Sequence, residues 1–238
     1  MHFSIVFLSS KMQGIEKNLN AVLERIQNEA ARVGRRSSEI ALVAVSKGRS
    51  LEEMRQLYDL GVRDFGENRV AEALGKMERL PKDIRWHLIG KLQKNKVSKV
   101  IGRFALIHSV DTPELAKKIA QQSLSAGVQT SILLEVNTSG ESTKGGLSLE
   151  EWQNCYPDVL SYQGIEINGL MTMAPLTEDE GVIRHCFSEL RHLSQKLQEI
   201  GGDLTTLSMG MSHDYPIAIQ EGATLVRVGT ALFLPMEV

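Results

Sequence analysis

The stretch Ile40-Ala41-Leu42-Val43-Ala44-Val45, running straight into Ser46-Lys47-Gly48, decides the fold. An uninterrupted apolar run of this length is too short for a helix. Lacking polar alternation, it reads as a strand buried on both faces, the kind that parallel sheets contain. On its N-terminal side, Ile15, Leu19, Val22, Leu23, Ile26, Ala30 and Val33 recur at three- and four-residue steps, predicting an amphipathic helix over 11–36 that ends near Gly34. On its C-terminal side the theme repeats as a short apolar run, a polar turn and a longer amphipathic segment. Strands are predicted at 41–45, 62–65, 84–89, 104–109, 129–136, 164–170, 203–208 and 224–228. Helices fit between them at 50–60, 67–79, 91–100, 112–126, 148–160, 178–199 and 212–221. Such alternation implies parallel strands joined by right-handed crossovers. Eight strands favour a closed (β/α)8 TIM barrel over a doubly wound open sheet, because closure leaves no exposed edge. The additional N-terminal helix can take the place of the missing eighth outer helix. The expectation is one α/β domain spanning 1–238, with the barrel itself at about 40–235.

Composition narrows the partners. Of 238 residues, 27 are Lys or Arg and 29 are Asp or Glu, a formal net charge of −2, so no global positive field draws the chain to nucleic acid or to an anionic membrane. Neither partner is expected. Cys155 and Cys186 make no disulfide framework and no metal-binding pattern, which fits a reducing cytoplasm. Phe3 to Leu8 is short, with no basic residue before it, and reads as neither a signal peptide nor a membrane span.

In a barrel of this kind the chemistry lies at the carboxyl ends of the strands. There the predicted strands end in Ser46-Lys47-Gly48, Phe65-Gly66-Glu67-Asn68, His87-Leu88-Ile89-Gly90, His108-Ser109, Asn137, Met171-Thr172-Met173, Ser208-Met209-Gly210-Met211-Ser212 and Arg227-Val228-Gly229-Thr230. Lys47 is the most informative of them. A lysine in a turn is usually a surface lysine; one that follows an apolar strand at a barrel mouth can instead be desolvated, with a free amine able to form a Schiff base. The loops after strands seven and eight are a second signal. Gly210, Met211, Ser212, Gly229 and Thr230 offer backbone N–H groups and hydroxyls where many barrels hold phosphate, and Ser212 is placed to cap the helix that runs to Glu221. Ordinary turn chemistry is the alternative for either loop alone. An amine that captures carbonyls and a phosphate cradle on one rim point to a phosphorylated aldehyde, and pyridoxal 5'-phosphate is the obvious one.

The segments Ala44-Val45-Ser46-Lys47, Phe65-Gly66-Glu67-Asn68, Trp86-His87-Leu88-Ile89-Gly90, Gly169-Leu170-Met171, Leu207 to Ser212 with Asp214, and Val226 to Thr230 resemble the pyridoxal phosphate homeostasis proteins of the YggS/PROSC type. The resemblance runs from about residue 15 to 234. It implies a barrel similar to the N-terminal domain of alanine racemase, with pyridoxal 5'-phosphate held as an aldimine on Lys47. It further implies Asn68 near the ring, Ser208 and the Gly229-Thr230 backbone on the phosphate, and Arg227 facing the pyridine nitrogen.

Two functions compete. One is a binding protein of intracellular vitamin B6 homeostasis that carries the cofactor without substrate turnover, serving apoenzymes or free amino acids. The other is a racemase or decarboxylase of the alanine racemase type. Such racemases add a C-terminal domain whose tyrosine is the opposing base, and this chain is expected to lack it, ending at Val238 soon after the eighth strand. A guanidinium beside the pyridine nitrogen also weakens the ring as an electron sink. The basic segment Lys91 to Arg103 reads as a solvated helix face, Lys144 as a loop lysine able to reach the mouth, and His87 as a hydrogen-bonded rim residue. His185 and His192 read as helix-surface residues. Met171, Met173, Met209 and Met211 read as rim packing around a flat ring.

Overall fold

The computed structural model describes residues 2–141 and 144–234, with side chains described from residue 14 onward. Ser142 and Thr143 of the loop that carries Lys144 lie outside the described residues, as do residues 235–238.

Eight parallel strands close into a barrel in sequence order. They are β1 (Ala41–Val45), β2 (Asp64–Glu67), β3 (Arg85–Leu88), β4 (Leu106–Val110), β5 (Thr130–Glu135), β6 (Ile165–Met171), β7 (Thr206–Ser208) and β8 (Leu225–Val228). The helices are α1 (His2–Arg32), α2 (Leu51–Asp59), α3 (Val70–Met77), α4 (Val97–Val100), α5 (Pro113–Ser125), α6 (Leu149–Leu160), α7 (Glu180–Ile200), α8 (Tyr215–Gln220) and α9 (Thr230–Phe233). Closure is made by β8 pairing with β1, with Ala41 opposite Leu225 and Ala44 opposite Val228. As the sequence predicts, α1 covers this seam, packing on α8, α9 and α2.

Several helix starts follow directly from local chemistry. Ser50 and Glu53 form a capping box at α2, Ser148 and Glu151 form another at α6, and Thr112 caps α5 with Pro113 in its first turn. The helix predicted at 91–100 is the main departure: a 3-10 turn at Lys94–Lys96 is followed by the single turn α4. Its buried apolar residues, Leu92, Val97 and Val100, begin with a five-residue gap and make no helical stripe. The predicted strand 62–65 shifts to Asp64–Glu67, because Gly66 and the buried Glu67 continue the pairing with β3.

Two cores result from the alternation along each strand. The larger lies between barrel and helices and includes Ala44, Phe65, Leu88, Ile107, Leu134, Val226 and Val228. The smaller fills the barrel, with Val43, Leu106, Leu133, Met171 and Leu225. That inner core is incomplete. His87, His108, Ser208 and Arg227 are also buried, so a polar column shares the barrel interior with five apolar side chains.

Candidate functional site

A cavity of about 620 Å³ opens at the carboxyl ends of the strands. Of the residues singled out from the sequence, Lys47, Asn68, Met211, Ser212, Arg227, Gly229 and Thr230 line it, whereas Ser208 and Gly210 do not.

Lys47 stands in the turn after β1 and is exposed, so the expected desolvation of its amine is not found. It makes no hydrogen bond or ion pair among the described residues. Its backbone, in contrast, is held on both sides. The Lys76 ammonium donates to the Ser46 carbonyl at 2.8 Å, to Glu67 Oε1 at 2.7 Å and to Glu72 Oε1 at 2.7 Å. Glu72 Oε1 also accepts the Gly48 N–H at 2.9 Å, and Ser46 Oγ donates to Glu67 Oε1 at 2.6 Å. Burial pushes the Glu67 carboxyl up against the opposing pull of Lys76 and Ser46, and its Oε2 finds no partner among the described residues. A fixed turn thus presents an unengaged amine. After the neighbouring strand β2, Asn68 sits against Gly90, where a Cβ would lie 2.4 Å from the Asn68 carbonyl oxygen, so only glycine admits this approach.

On the other side of β1, which pairs with β8, the loops after β7 and β8 are joined by a side chain. Ser212 Oγ accepts the N–H groups of Gly229 at 3.2 Å and Ala231 at 3.4 Å. The expected capping of α8 by Ser212 is therefore corrected: its hydroxyl is turned to β8's loop, and Asp214 occupies the cap position. Asp214 Oδ1 accepts the Met211 N–H at 2.6 Å. The N–H groups of Ser212 and His213 have no partner among the described residues, and Thr230 opens α9, where first-turn N–H groups lack intrahelical acceptors. Gly210 serves packing, since at φ +91° its added Cβ would meet Ala218 Cβ at 2.6 Å.

Arg227 forms the cavity floor. Its Nη2 donates to the Thr172 carbonyl at 2.9 Å and its Nη1 to Ser208 Oγ at 2.5 Å. Burial lowers its pKa to about 10 against the pull of Asp214 and Glu135. Ser208 is the second correction: it is fully buried beneath Arg227, its hydroxyl engaged by that guanidinium and by His108, rather than presented at the rim. His87 and His108 are likewise interior residues, not rim residues. Of the four methionines expected around a ring, Met173 and Met211 line the cavity, while Met171 and Met209 are buried in the cores. Only Lys91 of the basic segment reaches the wall, paired with Asp111 at 3.1 Å.

Sequence reasoning missed Glu135, although it ends the apolar run of β5 and the strand-end rule applies to it. It is buried in the cavity wall, and burial, reinforced by Asp111, pushes its carboxyl up to about 7. Gly145 lies against it, and a Cβ there would fall 2.6 Å from Glu135 Oε1, so a side chain at this position would make the carboxyl shift. A carboxyl whose folded pKa is raised favours folding while protonated, so its contribution is full below the unfolded value near 4.5 and is lost as pH rises through about 7. Glu135→Gln is therefore expected to raise stability at pH 8, by up to roughly 3 kcal/mol, and to change little at pH 4; urea unfolding at both values checks the sign.

Among the described residues no helix is long and apolar enough to cross a membrane, and no cluster of His, Cys, Asp or Glu could hold a metal ion. The family model for the alanine racemase N-terminal domain matches residues 18–236. Fold and site together define a (β/α)8 barrel of that class. The pyridoxal phosphate homeostasis protein of Aquifex aeolicus is 42% identical over 219 residues, 91% of this chain and 96% of that one. Its counterpart in Pseudomonas aeruginosa is 37% identical, covering 93% and 96%. The structure of PipY from Synechococcus elongatus with PLP bound is 37% identical, with a TM-score of 0.78 over 89% of this chain and 99% of that one. The chain belongs to the pyridoxal phosphate homeostasis protein family.

Proposed function

We propose that this chain, acting as one domain over 1–238, binds pyridoxal 5'-phosphate at the barrel mouth and carries it without substrate turnover. The observation that carries this reading is the pairing, across one cavity, of the unengaged Lys47 amine with N–H donors in the loops after β7 and β8. A relative with 37% identity holds the same compound. The donor set suits it. Lys47 is the amine for the aldehyde, Asn68 lies beside the ring, and the loops of Met211, Ser212, Gly229 and Thr230 surround the phosphate, the N–H groups of Ser212, His213 and Thr230 being the free donors because those of Met211 and Gly229 are held by Asp214 and Ser212. Arg227 lies under the ring nitrogen. Ser208 and Gly210 support this wall from behind, Ser208 through Arg227 and Gly210 through packing.

When bound, the cofactor supplies an aldehyde that condenses reversibly with amines, so Lys47 can surrender it to another amine. Free amino acids or the lysines of apoenzymes in the cytoplasm are the recipients this chemistry suits. Turnover is disfavoured by the chain's own groups. A permanently charged guanidinium at the floor opposes protonation of a ring nitrogen and removes the sink that carbanion chemistry needs. Racemisation also needs a base on each face of Cα within about 3 Å, and Lys47 occupies one face. The test is absorbance of the purified protein with added pyridoxal 5'-phosphate, followed by borohydride reduction and peptide mapping. The label is expected on Lys47; a label mainly on Lys144, or none, overturns the assignment.

A further inference from the structure

A hydrogen-bonded column runs through the barrel from its amino-terminal end to the cavity floor. Arg85, mostly exposed, pairs with Asp64 at the foot of β2. Asp64 Oδ1 lies 3.1 Å from His87 Nε2, His87 Nδ1 lies 2.9 Å from His108 Nε2, and His108 Nδ1 lies 2.9 Å from Ser208 Oγ. Ser208 Oγ then meets Arg227 Nη1. The two imidazoles stack edge to face with centroids 5.2 Å apart.

The ends of this column dictate its direction. Arg227 can only donate, so Ser208 Oγ accepts from it and has its own hydrogen free for His108 Nδ1. Neutral His108 then carries its proton on Nε2 and donates to His87 Nδ1. His87 in turn carries its proton on Nε2 and donates to Asp64, which two hydrogen-bonding neighbours, His87 and Arg85, hold at about 2 despite its burial. Every donor finds an acceptor with both rings neutral. Burial, with His87 and Arg227 beside it, keeps His108 well below the ordinary histidine range.

An added proton breaks the pattern. Whichever ring takes it, His108 Nδ1 becomes a donor, and Ser208 must then accept from both His108 and Arg227 while its own hydrogen loses its acceptor. We infer that His108 and His87 are positioning residues for the cofactor: they keep Ser208 oriented as an acceptor for Arg227 and so fix that guanidinium under the ring. This rests on the reading that pyridoxal 5'-phosphate occupies the cavity over Arg227. The charged groups facing the column are Asp64 and Arg85 at one end and Arg227, with Glu135 and Asp214 beyond it, at the other.

Nitrogen-15 NMR of the histidine rings in the cofactor-free protein tests the column by itself. Both rings are expected neutral, with a proton on Nε2 and a bare Nδ1; a proton on His108 Nδ1 at neutral pH overturns the inference. Cofactor affinity, read from the visible absorbance band, tests the consequence. His108→Leu removes the Ser208 acceptor and is expected to weaken pyridoxal 5'-phosphate and pyridoxal alike by about tenfold, the range of one charge-assisted hydrogen bond. His108→Asn places an oxygen where Nδ1 stood and is expected to recover most of that loss. Equal affinities for the Leu and Asn variants overturn the inference while leaving cofactor binding intact. A natural chain that takes up no pyridoxal 5'-phosphate overturns the functional reading instead, whatever the ring protons show.

Discussion

Lys76→Met is expected to cost about 3–5 kcal/mol of folding stability near pH 8, the scale seen when one partner of a buried ion pair is removed. Lys76 is buried and joins three elements: it reaches the Ser46 carbonyl after β1, Glu67 at the end of β2, and Glu72 on its own helix. Without its ammonium, Glu67 keeps a fully buried carboxylate with the Ser46 hydroxyl as its remaining described donor. Protonation relieves that carboxylate, and burial already raises its pKa in the intact network, so the deficit should shrink as pH falls toward the carboxylate range. Urea unfolding at pH 8 and at pH 5 measures both effects. Lys76→Met combined with Glu67→Gln should recover part of the loss, because no uncompensated charge then remains. A deficit below about 1 kcal/mol at pH 8 would class the network with exposed ion pairs and remove its claim to fix the Lys47 turn.

Lys47→Ala should produce the opposite pattern, with complete loss of the visible band on adding pyridoxal 5'-phosphate and almost no change in stability. The side chain is exposed and makes no bond among the described residues, so the stability change should stay within about ±0.5 kcal/mol. The loops after β7 and β8 are untouched, and on the proposed reading the variant should still compete weakly for the cofactor through them. A retained band of full intensity would show that another amine holds the aldehyde, and Lys144, which lines the same cavity from the loop after β5, would be the first to examine.

The barrel was legible because its strands announce themselves through their outward residues. Phe65, Leu88, Ile107, Leu134 and Val226 pack on the helices, and their apolar character survives any polar substitution on the inner face. The same property concealed much of the site. His87, His108 and Arg227 lie within strands, and strand position does not reveal which face holds a buried partner. Lys47, Ser212 and Gly229 could be placed on the cavity because they lie in loops that follow strands, where the rim rule applies. Ser208 was misplaced by one layer: it ends β7, yet its side chain turns inward beneath Arg227. Lys76 was invisible for another reason. On α3 it looks like any helix-surface lysine, and only the close approach of Glu67 from β2 gives it a buried role. Where a 3-10 turn replaced the helix at 91–100, the charge pattern had suggested a helix face that the apolar spacing could not support.

The seam where α1 meets α9 also governs when the site comes into being. Asn18 donates from Nδ2 to the carbonyl oxygens of Leu232 at 3.2 Å and Leu234 at 2.7 Å, contacts between residues 214 and 216 positions apart in the chain. Lys47 is made early in synthesis, whereas the Gly229-Thr230 backbone that lies beside its turn, where β8 pairs with β1, is among the last parts to appear. At roughly 5–20 residues per second, that interval is about 10–40 s. Throughout it the nascent chain carries that amine without the neighbouring β8 loop and with a barrel open between β1 and the missing β8, so a complete cavity has to wait until nearly the whole chain has been made and α1 can close over it.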